Sequence, residues 1–246
     1  MIVGFCGSGN MAAAMARGWA GELDGMLFSD NGSGRARALA EELGGEAVGN
    51  EELARRSDLL ILAVKPNKLD AVAPQLGAAT RIVSVLAATP LERLTAALPE
   101  AEVLRVMPNV GVEVRKGVLC VAGGADAEVR AALALLGHVV EIADGEFDEA
   151  TAIMGCAPAY LALAVEALAD AGAAAGLDRE LAGELVVETT AGTAELLRVR
   201  HPADVRAAVT SPGGSTEAGL EALDREGARA AFEAAVTASL ERMRGK

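Results

Sequence analysis

Ile2-Val3-Gly4-Phe5-Cys6-Gly7-Ser8-Gly9-Asn10-Met11-Ala12 is the stretch whose reading decides the fold. An apolar run stops at Cys6, and Gly7, Gly9 and Ala12 then supply the G-x-G-x-x-A form of the dinucleotide fingerprint. Gly7 permits the tight turn, Gly9 lets the backbone approach a pyrophosphate, and Ala12 lets the next helix pack closely on the strand. Free N–H groups at that helix start then hold the phosphates. Gly7, Ser8, Gly9, Asn10, Met11 and Ala12 are therefore the first candidate cofactor site. The bland alternative is a glycine-rich turn in an ordinary α/β domain; a strand before the turn and a helix and strand after it favour the dinucleotide.

Outward from this turn, further short apolar runs occur at 26–29, 59–64, 82–85, 103–107, 118–122 and 139–142. Amphipathic stretches such as 35–43 and 91–98 lie between them. Strands alternating with helices predict a largely parallel, doubly wound α/β sheet of Rossmann type with helices on both faces. The unbroken apolarity of 59–64 suits a strand buried on both sides. After Asp144 the strand-like runs stop, and 158–175, 179–199, 215–225 and 228–244 read as helices. The expected division is a nucleotide-binding domain at 1–146 and an all-helical domain at 147–246. The helix from Pro158 is apolar nearly all round, interrupted mainly by Glu166 and Asp170. Such a helix must be covered by others, and a second copy of so small a domain covers it most easily. A dimer is expected.

The second strand ends at Ser29-Asp30, about 20 residues past the fingerprint, where an acidic side chain would hold a ribose diol. Arg35 and Arg37 follow closely and suit a 2′-phosphate instead, so the pattern leaves NAD(H) and NADP(H) both open. Ala63-Val64-Lys65-Pro66 and Met107-Pro108-Asn109 also end strands on the ligand-binding edge. Lys65 and Asn109, whose amide suits nicotinamide or substrate, are the candidates there. In the second half, Thr210-Ser211-Pro212-Gly213-Gly214-Ser215-Thr216 forms a compact loop just before a helix. Its N–H groups would make a carboxylate receptor without any basic residue, with Ser215 and Thr216 adding hydroxyls. A plain N-cap and turn explains the same residues equally well.

Composition narrows the classes. A formal charge of −13 over 246 residues argues against nucleic acid or an anionic membrane as partner. No charge-free apolar run approaches a membrane span, and the N-terminus lacks the basic start of a signal peptide. Cys6, Cys120 and Cys156 have no C-x-x-C spacing, which points to a reducing, cytoplasmic compartment and to no metal site. His138 and His201 stand far apart without adjacent carboxylates and read as structural, and Tyr160 reads as helix packing.

Gly7 to Ala12, Ala63-Val64-Lys65-Pro66, Arg105-Val106-Met107-Pro108-Asn109, Pro158-Ala159-Tyr160, Glu166 to Gly172 and Thr210-Ser211-Pro212-Gly213-Gly214 occur in order. Together they resemble the pyrroline-5-carboxylate reductase family over nearly the whole chain. The resemblance implies a Rossmann domain followed by a helical dimerisation domain, forming a dimer or an assembly of dimers. It implies hydride transfer from NAD(P)H, with NADP(H) slightly favoured, to the C=N bond of a cyclic imine carboxylate. Cofactor contacts are implied at Gly7 to Ala12, Ser29, Asn50, Ala63, Val64, Lys65 and Pro66. Substrate contacts are implied around Ser211, Gly213, Gly214, Ser215 and Thr216, with Thr216 as the hydroxyl that holds the ring nitrogen. The chain departs from the family pattern at Val110-Gly111, at Met154 to Ala157 and at Ala207-Ala208, each time losing polar groups. Those losses keep two rivals open: a reductase of another cyclic imine, and a non-catalytic NAD(P)-binding paralogue with a regulatory role.

Overall fold

The computed structural model describes residues 1–124 and 126–245. The strands are β1 (Ile2–Cys6), β2 (Gly25–Ser29), β3 (Glu46–Ala47), β4 (Leu59–Leu62), β5 (Arg81–Ser84), β6 (Glu102–Pro108), β7 (Gly117–Ala122) and β8 (Gly137–Glu141). The α-helices are α1 (Asn10–Gly18), α2 (Arg35–Leu43), α3 (Asn50–Arg56), α4 (Leu69–Val72), α5 (Leu91–Ala97), α6 (Ala127–Ala134), α7 (Phe147–Ala150), α8 (Ala157–Ala174), α9 (Arg179–Leu197), α10 (Pro202–Val209), α11 (Ser215–Arg225) and α12 (Ala228–Met243). The chain divides into two compact units. One is Met1–Cys156 with Arg242–Lys246, the other Ala157–Glu241.

The first unit is built on one sheet in the order β3-β2-β1-β4-β5-β6-β7-β8. Its pairings are parallel except β6 with β7. Chain order reverses between β1 and β4, which opens a crevice at the strands' C-terminal ends. Side-chain alternation along β4 explains its unbroken apolarity: Leu59 and Ile61 join one core, Leu60 and Leu62 the other. On the first side Phe5 stacks on Phe28 at 5.2 Å, and Trp19 tilts against Phe5 at 6.1 Å. Trp19 is fully buried, and its indole N–H donates to the Ala132 carbonyl at 2.7 Å. A third small cluster seats Phe147 among Met107, Cys120 and Ala122, so the 3₁₀ and α7 turns after Asp144 stay with the sheet.

The second unit has almost no interior of its own; Ala182 is its one buried hydrophobic residue among those described. Leu161, Leu163, Leu168 and Val187 each keep more than half of their surface open. Asp144–Ala174 is long and apolar enough to cross a membrane by length and composition, although only 6% of its most apolar window is buried. A patch of this size marks a surface that something covers. Two elements depart from the sequence reading. The two-residue β3 has no counterpart among the apolar runs, and 202–209, which the sequence pattern leaves unassigned, forms a helix begun by Pro202 and capped by His201, whose Nδ1 accepts from Ala203 N at 3.2 Å.

Candidate functional site

Between β1 and α1 the chain turns on Gly7, which sits at φ +99°. A Cβ there would fall 2.7 Å from the carbonyl carbon and oxygen of Ala63. The approach is fixed by the parallel pairing of β1 and β4, continued by Ala63 N donating to Cys6 O at 2.8 Å. Gly7 N and the Ser8 hydroxyl both donate to the Ser29 carbonyl, at 3.1 and 3.0 Å, which ties the turn to the end of β2. Gly9 precedes α1 in an extended conformation, and a Cβ on it would meet no chain atom within 4 Å. No side chain caps α1 and no acidic residue stands in its first turn. Its orphan N–H groups and positive dipole end therefore face an open approach, which suits phosphate oxygens. Ala12 is completely buried, as close helix packing requires. The residues present fit a dinucleotide.

The other candidates of this unit gather along the same strand edge. Ser29 is buried, and its hydroxyl donates to Asn50 Oδ1 at 2.6 Å. The Cys6 thiol lies 3.6 Å from the same oxygen. Burial pushes that thiol up to about 11, only partly offset by Ser29, so it stays protonated and unreactive near neutrality. Asn50 Nδ2 donates to Gln75 Oε1 at 2.9 Å. The Asp30 carboxylate accepts from Gly32 N at 2.8 Å, the Ser33 hydroxyl at 2.9 Å and Ala36 N at 2.9 Å. Desolvation alone would raise its pKa, but the hydrogen bonds from Ala36, Gly32 and Ser33 outweigh it and hold the carboxyl below its usual value. Asp30 thus organises the loop that leads to exposed Arg35 and Arg37, which make no ion pair among the described residues. Residues 63–66 leave β4 beside Gly7, with Lys65 and Pro66 exposed.

Asn109, at the end of β6, is turned toward its own chain. Its Oδ1 accepts from Gly111 N at 3.2 Å and Val118 N at 3.1 Å, and its Nδ2 donates to Met154 O at 3.1 Å. Three of its four hydrogen-bonding sites are thereby engaged. Within the same unit, Arg105 is a buried cation to which the sequence reading gave no role. Its guanidinium pairs with Asp144 at 2.8 Å and lies 4.0 Å from the centre of the Phe147 ring. The visible signal was a charge inside the apolar run Val103-Leu104-Arg105-Val106-Met107.

In the helical unit, Ser211-Pro212-Gly213-Gly214 closes a tight turn, with Gly214 N donating to Ser211 O at 2.9 Å. Gly213 takes φ +72°. Gly214 precedes α11 without a side-chain cap, leaving the N–H groups of Ser215 and Thr216 in the helix's first turn. Glu217, unnoticed in the sequence, accepts from Gly213 N at 2.6 Å. The loop therefore already holds one carboxylate on a main-chain N–H. Tyr160 packs as expected in this unit, its hydroxyl 2.5 Å from Ser239 Oγ. Among the described residues, no cluster of His, Cys, Asp and Glu is placed to hold a metal ion.

Residues 144–246 match the family model for pyrroline-5-carboxylate reductase dimerisation, and residues 2–88 match one described as NADP oxidoreductase, coenzyme F420-dependent. A pyrroline-5-carboxylate reductase from Synechocystis is 40% identical, covering 78% of this chain and 76% of its own length. The chain belongs to the pyrroline-5-carboxylate reductase family. A pea (Pisum sativum) reductase of the family is 35% identical across 98% of this chain and 94% of its own. The family extends to solved structures. A Plasmodium falciparum pyrroline carboxylate reductase with NADP bound superposes with a TM-score of 0.86 at 28% identity, covering all of this chain and 97% of that one. A Streptococcus pyogenes family member superposes equally well at 30% identity, covering 100% and 99% of the two chains. The family assignment makes the chain an NAD(P)H-binding oxidoreductase with a helical dimerisation domain.

Proposed function

We propose that this chain reduces the C=N bond of 1-pyrroline-5-carboxylate with a reduced nicotinamide dinucleotide, giving L-proline. The observation that carries the reading is the Gly7–Gly9 turn, open in front of an uncapped α1, in a chain that aligns with reductases of this family along most of its length. When bound, the nicotinamide supplies the hydride. The protein's share is orientation. Gly7 to Ala12, Ser29, Asp30, Asn50 and residues 63–66 serve the dinucleotide. The turn of Ser211, Gly213 and Gly214 presents the N–H groups of Ser215 and Thr216 to the substrate carboxylate, and the Thr216 hydroxyl holds the ring nitrogen. Asn109 serves substrate binding by bracing the end of β6 rather than by direct contact. NADPH is favoured over NADH, because Asp30 is occupied with its own loop while Arg35 and Arg37 beside it form no ion pair among the described residues.

The open apolar face of α8 and α9 supports pairing with a second copy, within a dimer or an assembly of dimers. The domains follow the change of pattern, 1–146 for the nucleotide and 147–246 for dimerisation and substrate. Three unpaired cysteines support a cytoplasmic setting.

Cofactor oxidation followed at 340 nm tests the reading, with pyrroline-5-carboxylate as substrate and each reduced cofactor supplied separately. Turnover with both and a higher kcat/KM for NADPH is expected. Equal efficiency on carboxylate-free pyrroline would remove the carboxylate receptor, and NADPH binding without turnover would leave the non-catalytic paralogue. Thr216→Ala should lower kcat about tenfold, the size of one hydrogen bond to a polar group, with NADPH affinity unchanged. Undiminished turnover takes Thr216 out of the mechanism.

A further inference from the structure

We infer that Gln75 is a positioning residue for the dinucleotide, acting through Asn50; the inference rests on the nucleotide-binding reading given above. Gln75 lies in the connection that leaves β4 through Lys65 and Pro66 and returns to β5. Nothing in its sequence surroundings marks it out, and its side chain is exposed. Its two amide ends are nevertheless both committed. Nε2 donates to the Ala71 carbonyl at 3.0 Å and Oε1 accepts from Asn50 Nδ2 at 2.9 Å. A carbonyl accepts only, so the Ala71 bond fixes which end of the Gln75 amide is nitrogen. That leaves its oxygen for Asn50.

The choice is passed on. An asparagine amide is close to symmetrical in shape, and its direction is set by its partners. The Ser29 hydroxyl can donate or accept, so it does not by itself choose an end for Asn50. Gln75 Oε1 does choose: it requires Nδ2 on its own side and leaves Oδ1 toward Ser29 and Cys6. The Ser29 proton then goes to Asn50 Oδ1 at 2.6 Å rather than to Phe5 O at 3.3 Å. Ser29 O is also where Gly7 N and the Ser8 hydroxyl donate. Ser29 thus links the two sets of bonds, its hydroxyl tied to Asn50 and its carbonyl to the fingerprint turn. Asn50 keeps one N–H uncommitted, a donor for a ribose or phosphate oxygen. Without Gln75 the Asn50 amide can turn over, and the outward donor is lost for part of the time.

The test is NADPH binding to the free protein by isothermal titration calorimetry, with steady-state kinetics alongside. Gln75→Leu should weaken the NADPH Kd about fivefold, within the range of one neutral hydrogen bond. The NADPH KM should rise in step, with kcat and the imine KM within about twofold of the parent. Gln75→Glu, which retains an oxygen acceptor, should bind within about twofold of the parent. In an Asn50→Ala background, Gln75→Leu should have no further effect, because the residue through which it acts is gone. An unchanged Kd in Gln75→Leu overturns the inference, as does an undiminished effect in the Asn50→Ala background. A parent protein that binds no NADPH removes the nucleotide reading as well, and so marks that failure apart.

Discussion

Gly7→Ala is expected to weaken NADPH binding by at least about a hundredfold, equivalent to roughly 2.7 kcal/mol, and to lower the melting temperature as well. Two terms add. An L-residue at φ +99° carries about 1–3 kcal/mol of backbone strain. The new methyl also meets the Ala63 carbonyl at 2.7 Å and Val64 N at 2.9 Å, backbone atoms just past β4, where Ala63 N is bonded to Cys6 O. Something must shift, and the bond from Gly7 N to Ser29 O is the first to go. Gly9→Ala is the informative partner. Its methyl meets no chain atom within 4 Å, so the fold should keep its melting temperature. The space it fills is the approach proposed for the pyrophosphate, so binding alone should fall. Calorimetry with NADPH and thermal unfolding of both variants separate the two effects. A Gly9→Ala protein with parental NADPH affinity would contradict the phosphate placement.

Arg105→Ala should destabilise the nucleotide unit by about 2–3 kcal/mol, less than the loss from a fully buried ion pair because Asp144 is one-third exposed and water screens it. Arg105 is 5% exposed, and its charge is balanced by Asp144, which also accepts from Leu91 N at 3.2 and 3.3 Å. The guanidinium face lies on Phe147, and its Nε is buried without a partner among the described residues. Removal leaves a cavity beside the aromatic ring and an acid stripped of its cation. For a unit of this length the loss corresponds to roughly 5–10 °C in Tm. Arg105→Lys should fall between parent and alanine, because an ammonium keeps the charge but not the flat face. Urea unfolding followed by circular dichroism measures both, and an alanine variant with an unmoved midpoint would refute this account of the pair.

The strands were legible where apolar runs end in turn residues, and the helix 215–225 was legible to the residue. What escaped had no local pattern. The strand Glu46–Ala47 is two exposed residues, held only because Leu27 and Phe28 offer it an edge. The helix at Pro202 goes unassigned in the sequence because His201-Pro202 reads as a break, whereas proline fits a first helical turn and histidine caps it. The fingerprint turn could be read because backbone conformation itself demands glycine there. Gln75 and Glu217 could not, since each takes its partner from where the chain happens to return. Arg105 stood out as a charge in a strand, yet its partner Asp144 lies 39 positions away.

The chain contains a single tryptophan and a single tyrosine, and they fall in different compact units. Trp19 is sealed under the sheet of Met1–Cys156, while Tyr160 is bonded to Ser239 within Ala157–Glu241. Nature has thus supplied two separate chromophores: indole fluorescence watches one half of the molecule melt, and phenol absorbance watches the other, without a label on either.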